Sequence, residues 1–206
     1  MTLEQQRIGF IGAGNMAQAL IGGLIGRGVA AERIRAIEPY AQTRDAVQAK
    51  YGIVVDEVAS DALGACSVIV LAVKPQVMRA VATEIAPHLQ RGARAPLIVS
   101  VAAGIPSDSI ARWLGTERVV RSMPNTPALV GQGAAGIAGG TTASEADMQW
   151  AHDILGSVGV VVRVPEAQLD AVTGVAGSGP AYVFLVAEAL IDAGVLAGLS
   201  RANAEV

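Results

Sequence analysis

The feature that most constrains this 206-residue chain is the turn Gly12-Ala13-Gly14-Asn15-Met16-Ala17, set between an apolar run over residues 7–11 and an Ala/Leu/Ile-rich helical segment over 16–26. In a G-x-G-x-x-A turn of this kind the first glycine permits the tight bend. The second lets the backbone approach a pyrophosphate, and the alanine lets the helix pack closely on the sheet. The free amides at the helix start then offer donors to the anion. Strand, turn and helix in that order point to dinucleotide binding, against the plainer reading of a structural glycine turn. Glu38 ends the second apolar run, where a carboxylate accepts hydrogen bonds from the adenosine ribose and repels a 2′-phosphate. Arg44 follows within a few residues and could pair with such a phosphate, so NADH and NADPH both stay open.

Downstream, strand and helix patterns alternate. Strands are expected at 34–37, 53–55, 67–73, 97–101 and 119–121, and helices at 42–50, 76–89 and 107–114. Such alternation implies right-handed crossovers and a parallel, doubly wound sheet. After Ser144 the pattern gives a helix at 145–155, a strand at 158–164 and helix from Glu166 onward. Gly177-Ser178-Gly179-Pro180 is expected to interrupt that helix before a long apolar one at 181–193. The domain boundary is placed at Val164–Pro165, giving units of 1–164 and 165–206.

Composition narrows the classes. With 52% hydrophobic residues, only 3% aromatic and 24 glycines, the chain favours close backbone packing over aromatic cores. Mean hydropathy is +0.46, yet each apolar stretch meets a Gly, Pro or charge short of the ~20 residues that span a bilayer. A soluble protein with no membrane partner is expected. MTLEQQRIGF lacks the basic and apolar regions of an export signal, which points to the cytoplasm. Cys66 cannot form an internal disulfide alone, and with only His88 and His152 beside it no metal cluster is expected. A net charge of −3 without basic clusters gives nucleic acid no footprint. The expected partner is a small molecule.

Three more segments carry chemistry. Lys74-Pro75 and Ser100-Val101-Ala102-Ala103-Gly104 follow strands at the sheet's carboxyl edge, where ligands of doubly wound folds bind. Arg121-Ser122-Met123-Pro124-Asn125-Thr126-Pro127 brackets Asn and Thr between prolines, a rigid presenting loop or a plain turn. Glu188 and Asp192 would share one helical face, solvated or between subunits.

GFIGAGNMAQAL, LAVKPQ, SVAAGI, RSMPNTPALVGQG and DAVTGVAGSGPAYVFLVAEAL, in this order over residues 7–206, together closely resemble the pyrroline-5-carboxylate reductase family. The resemblance implies an α/β fold: an N-terminal Rossmann-type doubly wound parallel sheet followed by the start of an all-α dimerisation domain. It implies NADPH or NADH as cofactor, a homo-oligomer of two or more subunits, and hydride transfer to the C=N carbon of 1-pyrroline-5-carboxylate, giving proline. Cofactor contacts are implied for Ile11, Gly12, Ala13, Gly14, Asn15 and Met16, for Ala72, Val73, Lys74 and Pro75, and for Val101, Ala102 and Ala103. Asn125 and Thr126 are placed beside the nicotinamide, and Glu166 at the substrate. No catalytic residue is implied within the chain, because the family's substrate loop is expected beyond Val206. Residues 200–206 read as a helix cap with hardly more than one turn, so a continuation past Val206 is expected; the chain alone should bind cofactor and turn over poorly. Two further readings are weighed. A related imine or β-hydroxyacid reductase would carry a lysine in residues 166–206, which contain none; a non-catalytic dinucleotide-binding scaffold would bind cofactor without turnover.

Overall fold

The computed structural model describes residues 3–89 and 95–206. Its elements run β1 (Ile8–Ile11), α1 (Asn15–Gly26), β2 (Ile34–Ile37), α2 (Ala41–Tyr51), β3 (Val54–Asp56), β4 (Val68–Leu71), α3 (Met78–Leu89), β5 (Leu97–Ser100), α4 (Ser107–Leu114), β6 (Val119–Met123), β7 (Gly133–Gly139), α5 (Glu145–Gly156) and β8 (Gly159–Arg163). All eight strands form one sheet in the order β3-β2-β1-β4-β5-β6-β7-β8. The period of two along each central strand divides the core between the two sheet faces. Ile8, Phe10, Val68 and Val70 pack with α1, α2 and α5 on one face. Ile69 and Leu71 pack with α3 and α4 on the other.

The strand order reverses between β1 and β4; β1 is flanked by β2 and β4, its Ile8 facing Ile34 on one side and Val68 on the other. A crevice therefore opens outside the carboxyl ends of β1 and β4. The glycine turn and the loops after β4 and β5 converge there.

The sheet departs from the expected all-parallel arrangement at one pairing, so that β7 and β8 run opposite to the other strands. β7, Gly133-Ala134-Ala135-Gly136-Ile137-Ala138-Gly139, runs antiparallel to β6, and its sequence gave no strand signal because only Ile137 is β-branched. Crowding explains the glycines: a Cβ on Gly136 would lie 3.0 Å from Val172, and one on Gly139 3.0 Å from the Met148 sulfur. β8 pairs parallel to β7, so it ends at the edge opposite the crevice. The chain then returns along β6 and β7. Leu169 and Val172 pack against Gly136, and Gly177 lies over Met123 at the carboxyl end of β6.

The returning segment comprises a 3-10 turn (Glu166–Gln168), α6 (Leu169–Val172), a π-helical turn (Thr173–Gly177) and α7 (Gly179–Leu196), with α8 (Arg201–Ala204) after it. The expected interruption at Gly177–Pro180 takes the form of the π-helical turn and the turn residue Ser178, after which α7 begins; counted through it, helical structure runs from Glu166 to Leu196, 31 residues. By length and composition this helix could cross a membrane, which corrects the expectation that every apolar stretch stops short of that length. No residue of α7 is buried; Phe184 is 68% exposed and Leu190 67%. Asp192 pairs with Arg201 at 2.8 Å, and Ser200 caps α8 by accepting from the Asn203 N–H at 3.2 Å.

Candidate functional site

The site is built from the ends of β1, β2, β4, β5 and β6. Gly12 follows β1 with φ +91°, and a Cβ there would meet the Ala72 carbonyl oxygen at 2.8 Å. Glycine is required twice over, by the left-handed backbone and by the end of β4. Gly14 is different. Its φ is −69° and nothing lies within 4 Å of a Cβ built on it, so the turn opens onto free space. α1 starts there with no side-chain cap and no acid in its first turn, leaving its first amides unpaired by side chains. An open, uncapped helix start above a glycine is an anion cradle, and it fits the pyrophosphate of a dinucleotide.

Glu38 is only 7% exposed. Its Oε2 accepts from the Ala13 N–H at 2.9 Å and its Oε1 from the Tyr40 N–H at 3.2 Å, so the carboxylate ties the end of β2 to the glycine turn. A carboxylate has about four acceptor positions, so Glu38 keeps acceptor capacity beyond these two bonds. Arg44, the alternative partner for a 2′-phosphate, is committed. Its Nη1 donates to the Glu38 and Pro39 carbonyls at 2.9 and 3.0 Å, and its Nη2 to Glu57 at 3.3 Å.

Along the same edge, Ala72 and Val73 are half-buried and Lys74 is exposed without an ion pair among the described residues. The Ala72 N–H donates to the Ile11 carbonyl at 2.8 Å and the Val101 N–H to the Leu71 carbonyl at 3.1 Å, which fixes both loops beside the glycine turn. Pro75 opens the 3-10 turn Pro75–Val77. Ala102 is buried, and its N–H donates to Ser100 Oγ at 3.3 Å; Ala103 follows at the surface of the crevice. The structure thus brings Ile11 to Met16, Glu38, Ala72 to Pro75 and Val101 to Ala103 to one edge.

Asn125 and Glu166 are each held by hydrogen bonds within the chain. Asn125, expected beside the nicotinamide, has both ends of its amide taken: Nδ2 donates to the Ala176 carbonyl at 3.0 Å and Oδ1 accepts from the Ala134 N–H at 2.8 Å. Thr126 beside it is exposed and starts a 3-10 turn, Thr126–Val130. Glu166 accepts from the Ser107 N–H at 2.7 Å, from Ser107 Oγ at 2.6 Å and from Arg121 Nη1 at 2.9 Å. Burial pushes the Glu166 carboxyl up, but the Ser107 hydrogen bonds and the Arg121 guanidinium together hold it below the usual range. Sequence reasoning missed Ser107 and Arg121. The available signal was a charge in the middle of the buried strand Val119–Met123.

No group of acidic, His or Cys side chains able to hold a metal occurs among the described residues. Cys66 is buried and unpaired, and burial raises its thiol pKa.

Comparison with known proteins adds five findings. A family model described as NADP oxidoreductase coenzyme F420-dependent matches residues 7–104, and one described as pyrroline-5-carboxylate reductase dimerisation matches residues 166–206. The chain is 50% identical over 204 residues to a pyrroline-5-carboxylate reductase of Pseudomonas aeruginosa, covering 98% of this chain and 74% of that protein. A solved pyrroline-5-carboxylate reductase of Coxiella burnetii aligns with a TM-score of 0.85 at 36% identity, over 97% of this chain and 74% of that one. A Plasmodium falciparum pyrroline carboxylate reductase solved with NADP bound aligns at 0.83 with 31% identity, over 99% and 74% of the two chains.

Proposed function

The chain belongs to the pyrroline-5-carboxylate reductase family, and from that premise we infer that it is an NAD(P)H-dependent oxidoreductase reducing 1-pyrroline-5-carboxylate to proline. The single observation that carries this reading in the geometry is the open, uncapped cradle at Gly14, at the same sheet edge as the β4 and β5 loops. Reduced nicotinamide, when bound, supplies a hydride to the C=N carbon.

The chain's own residues bind and orient. Gly12, Gly14 and the first amides of α1 receive the pyrophosphate, and Glu38 holds the turn while offering its free acceptor positions to the adenosine ribose. Lys74 supplies a positive charge beside the cofactor phosphates, and the backbone of Val101, Ala102 and Ala103 forms the floor beneath the nicotinamide half. A protonated imine accepts hydride readily, so positioning accounts for most of what the protein must contribute. This matches a site without a nucleophile–base pair.

The same reading divides the chain at Val164–Pro165, makes the helical part the element shared with a second copy, and places the protein in the cytoplasm. The buried free thiol of Cys66 accords with a reducing compartment. A second subunit, rather than lipid, is proposed to cover α7. Supporting this are the dimerisation family's match to residues 166–206 and the charges of Glu188 and Asp192 in the middle of the helix, which are costly in a bilayer.

The test is an assay of NAD(P)H oxidation with 1-pyrroline-5-carboxylate, with proline identified as product. Substrate-dependent oxidation with matching proline formation is expected. Tight cofactor binding without turnover, at every enzyme concentration tried, would instead support the scaffold reading.

A further inference from the structure

Two sequence motifs that read as independent, Met123-Pro124-Asn125-Thr126-Pro127 and Gly177-Ser178-Gly179-Pro180, meet at one hydrogen bond. In an α-helix the carbonyl of residue 176 would accept from the N–H of residue 180. Residue 180 is proline and has none, so the Ala176 carbonyl has no α-helical donor. Around it the helix widens into the π-turn Thr173–Gly177, with the Ser178 N–H donating to the Thr173 carbonyl at 2.8 Å. The Asn125 Nδ2 donates to the Ala176 carbonyl at 3.0 Å, and its Oδ1 accepts from the Ala134 N–H on β7 at 2.8 Å. Gly177 presses on Met123, where a Cβ would come within 2.6 Å of the methionine methyl. The helix is thereby held against β6 and β7 at the point where it leaves the sheet, beside the nicotinamide half of the site.

We infer that Asn125 is a positioning residue that replaces the donor Pro180 lacks, fixing the π-turn to the sheet and so setting the direction in which α7 leaves the cofactor edge. It acts through the helix, not on cofactor or substrate directly, and the inference rests on the reductase reading. An asparagine suits the place because one planar amide both donates to the helix and accepts from the strand; aspartate keeps the acceptor and loses the donor.

The decisive variant is Asn125→Asp, compared with Asn125→Ala and the parent. At neutral pH Asn125→Asp should lower kcat by about tenfold or more, since an acceptor would face an unpaired carbonyl, with the KM for cofactor changed less than about twofold. The carbonyl opposite raises the pKa of the new carboxyl. As pH falls the protonated acid becomes a donor to Ala176, so the variant-to-parent ratio of kcat should recover. Arg121, Glu166, Asp170 and Tyr182, on the elements packed there, are present in both proteins, so the ratio removes their effect. Asn125→Ala should show the loss without the recovery. Amide exchange over residues 173–181, read without turnover, should quicken in both variants at neutral pH while residues 8–26 stay protected.

A pH-independent ratio, or unchanged exchange at 173–181, would overturn the inference. A rise in cofactor KM at constant kcat would do the same by making Asn125 a cofactor contact. An inactive parent with the exchange pattern intact would count against the reductase reading alone.

Discussion

Gly12 and Gly14 stand two positions apart in one turn, yet substitution at the two sites should act on different properties. At Gly14 the backbone is extended and the space is empty, so Gly14→Val should leave the fold intact and weaken cofactor binding by at least about tenfold, or ~1.4 kcal/mol. At Gly12 the positive φ and the Ala72 carbonyl make any side chain strain the fold itself, and Gly12→Val should lower stability by ~1–3 kcal/mol. Thermal melting and cofactor titration of both variants separate the two effects; equal loss of stability at the two positions would refute the distinction. Glu38→Ser tests the ribose side. It removes a carboxylate that a 2′-phosphate would face, so the ratio of NADP to NAD dissociation constants should fall. A ratio that stays put would reduce Glu38 to its contact with Ala13. The sequence placed Glu38 at the end of a strand by spacing alone. That its oxygen would also hold the Ala13 amide depended on two loops meeting across β1 and β2, which spacing does not report.

Among the elements, the returning segment is tied down at two points ten residues apart along its own chain: the Glu166 side chain at its start, through Ser107 and Arg121, and the Ala176 carbonyl through Asn125. Glu166 is depressed in pKa by these partners, so its contribution to stability is full above the ordinary carboxyl value of 4.5 and is lost as pH falls through the depressed one. Acidification below that value should therefore speed amide exchange over residues 166–177. Asp147, pushed up by burial but held low by Arg118 and Ser144, titrates with the same sign. Glu166→Gln isolates the first: it should flatten the pH dependence of exchange at 166–177 and leave that of α5 alone, and a variant with the parent's profile would remove Glu166 from this role. The alternation of strands and helices up to β6 was legible because both faces of a covered sheet demand continuous apolar runs. β7 was not, since its glycines and alanines answer to the crowding of Val172, Met148 and Ala128, which exists only once the chain has folded back. The Gly-Ser-Gly-Pro stretch signals a break by composition, which appears as the π-turn and Ser178; the Asn125 donor to the Ala176 carbonyl beside it was not legible, because it joins residues far apart in sequence.

For the whole molecule, the most informative surface is α7, where Tyr182, Phe184, Leu185 and Leu190 are each more than half exposed. An apolar area of this kind belongs to an interface, and among the described residues nothing buries it. Light scattering should report a dimer or larger assembly. Phe184→Asp together with Leu190→Asp should shift it toward monomer while cofactor binding at the glycine turn persists; an assembly that tolerates both charges would place the contact elsewhere. Because α7 makes so few contacts within its own subunit, its share of stability exists only in the associated state, and mass action then enters the melting curve. For a dimer, each tenfold dilution should withdraw ~1.4 kcal/mol from the folded assembly, so the melting temperature should fall with dilution.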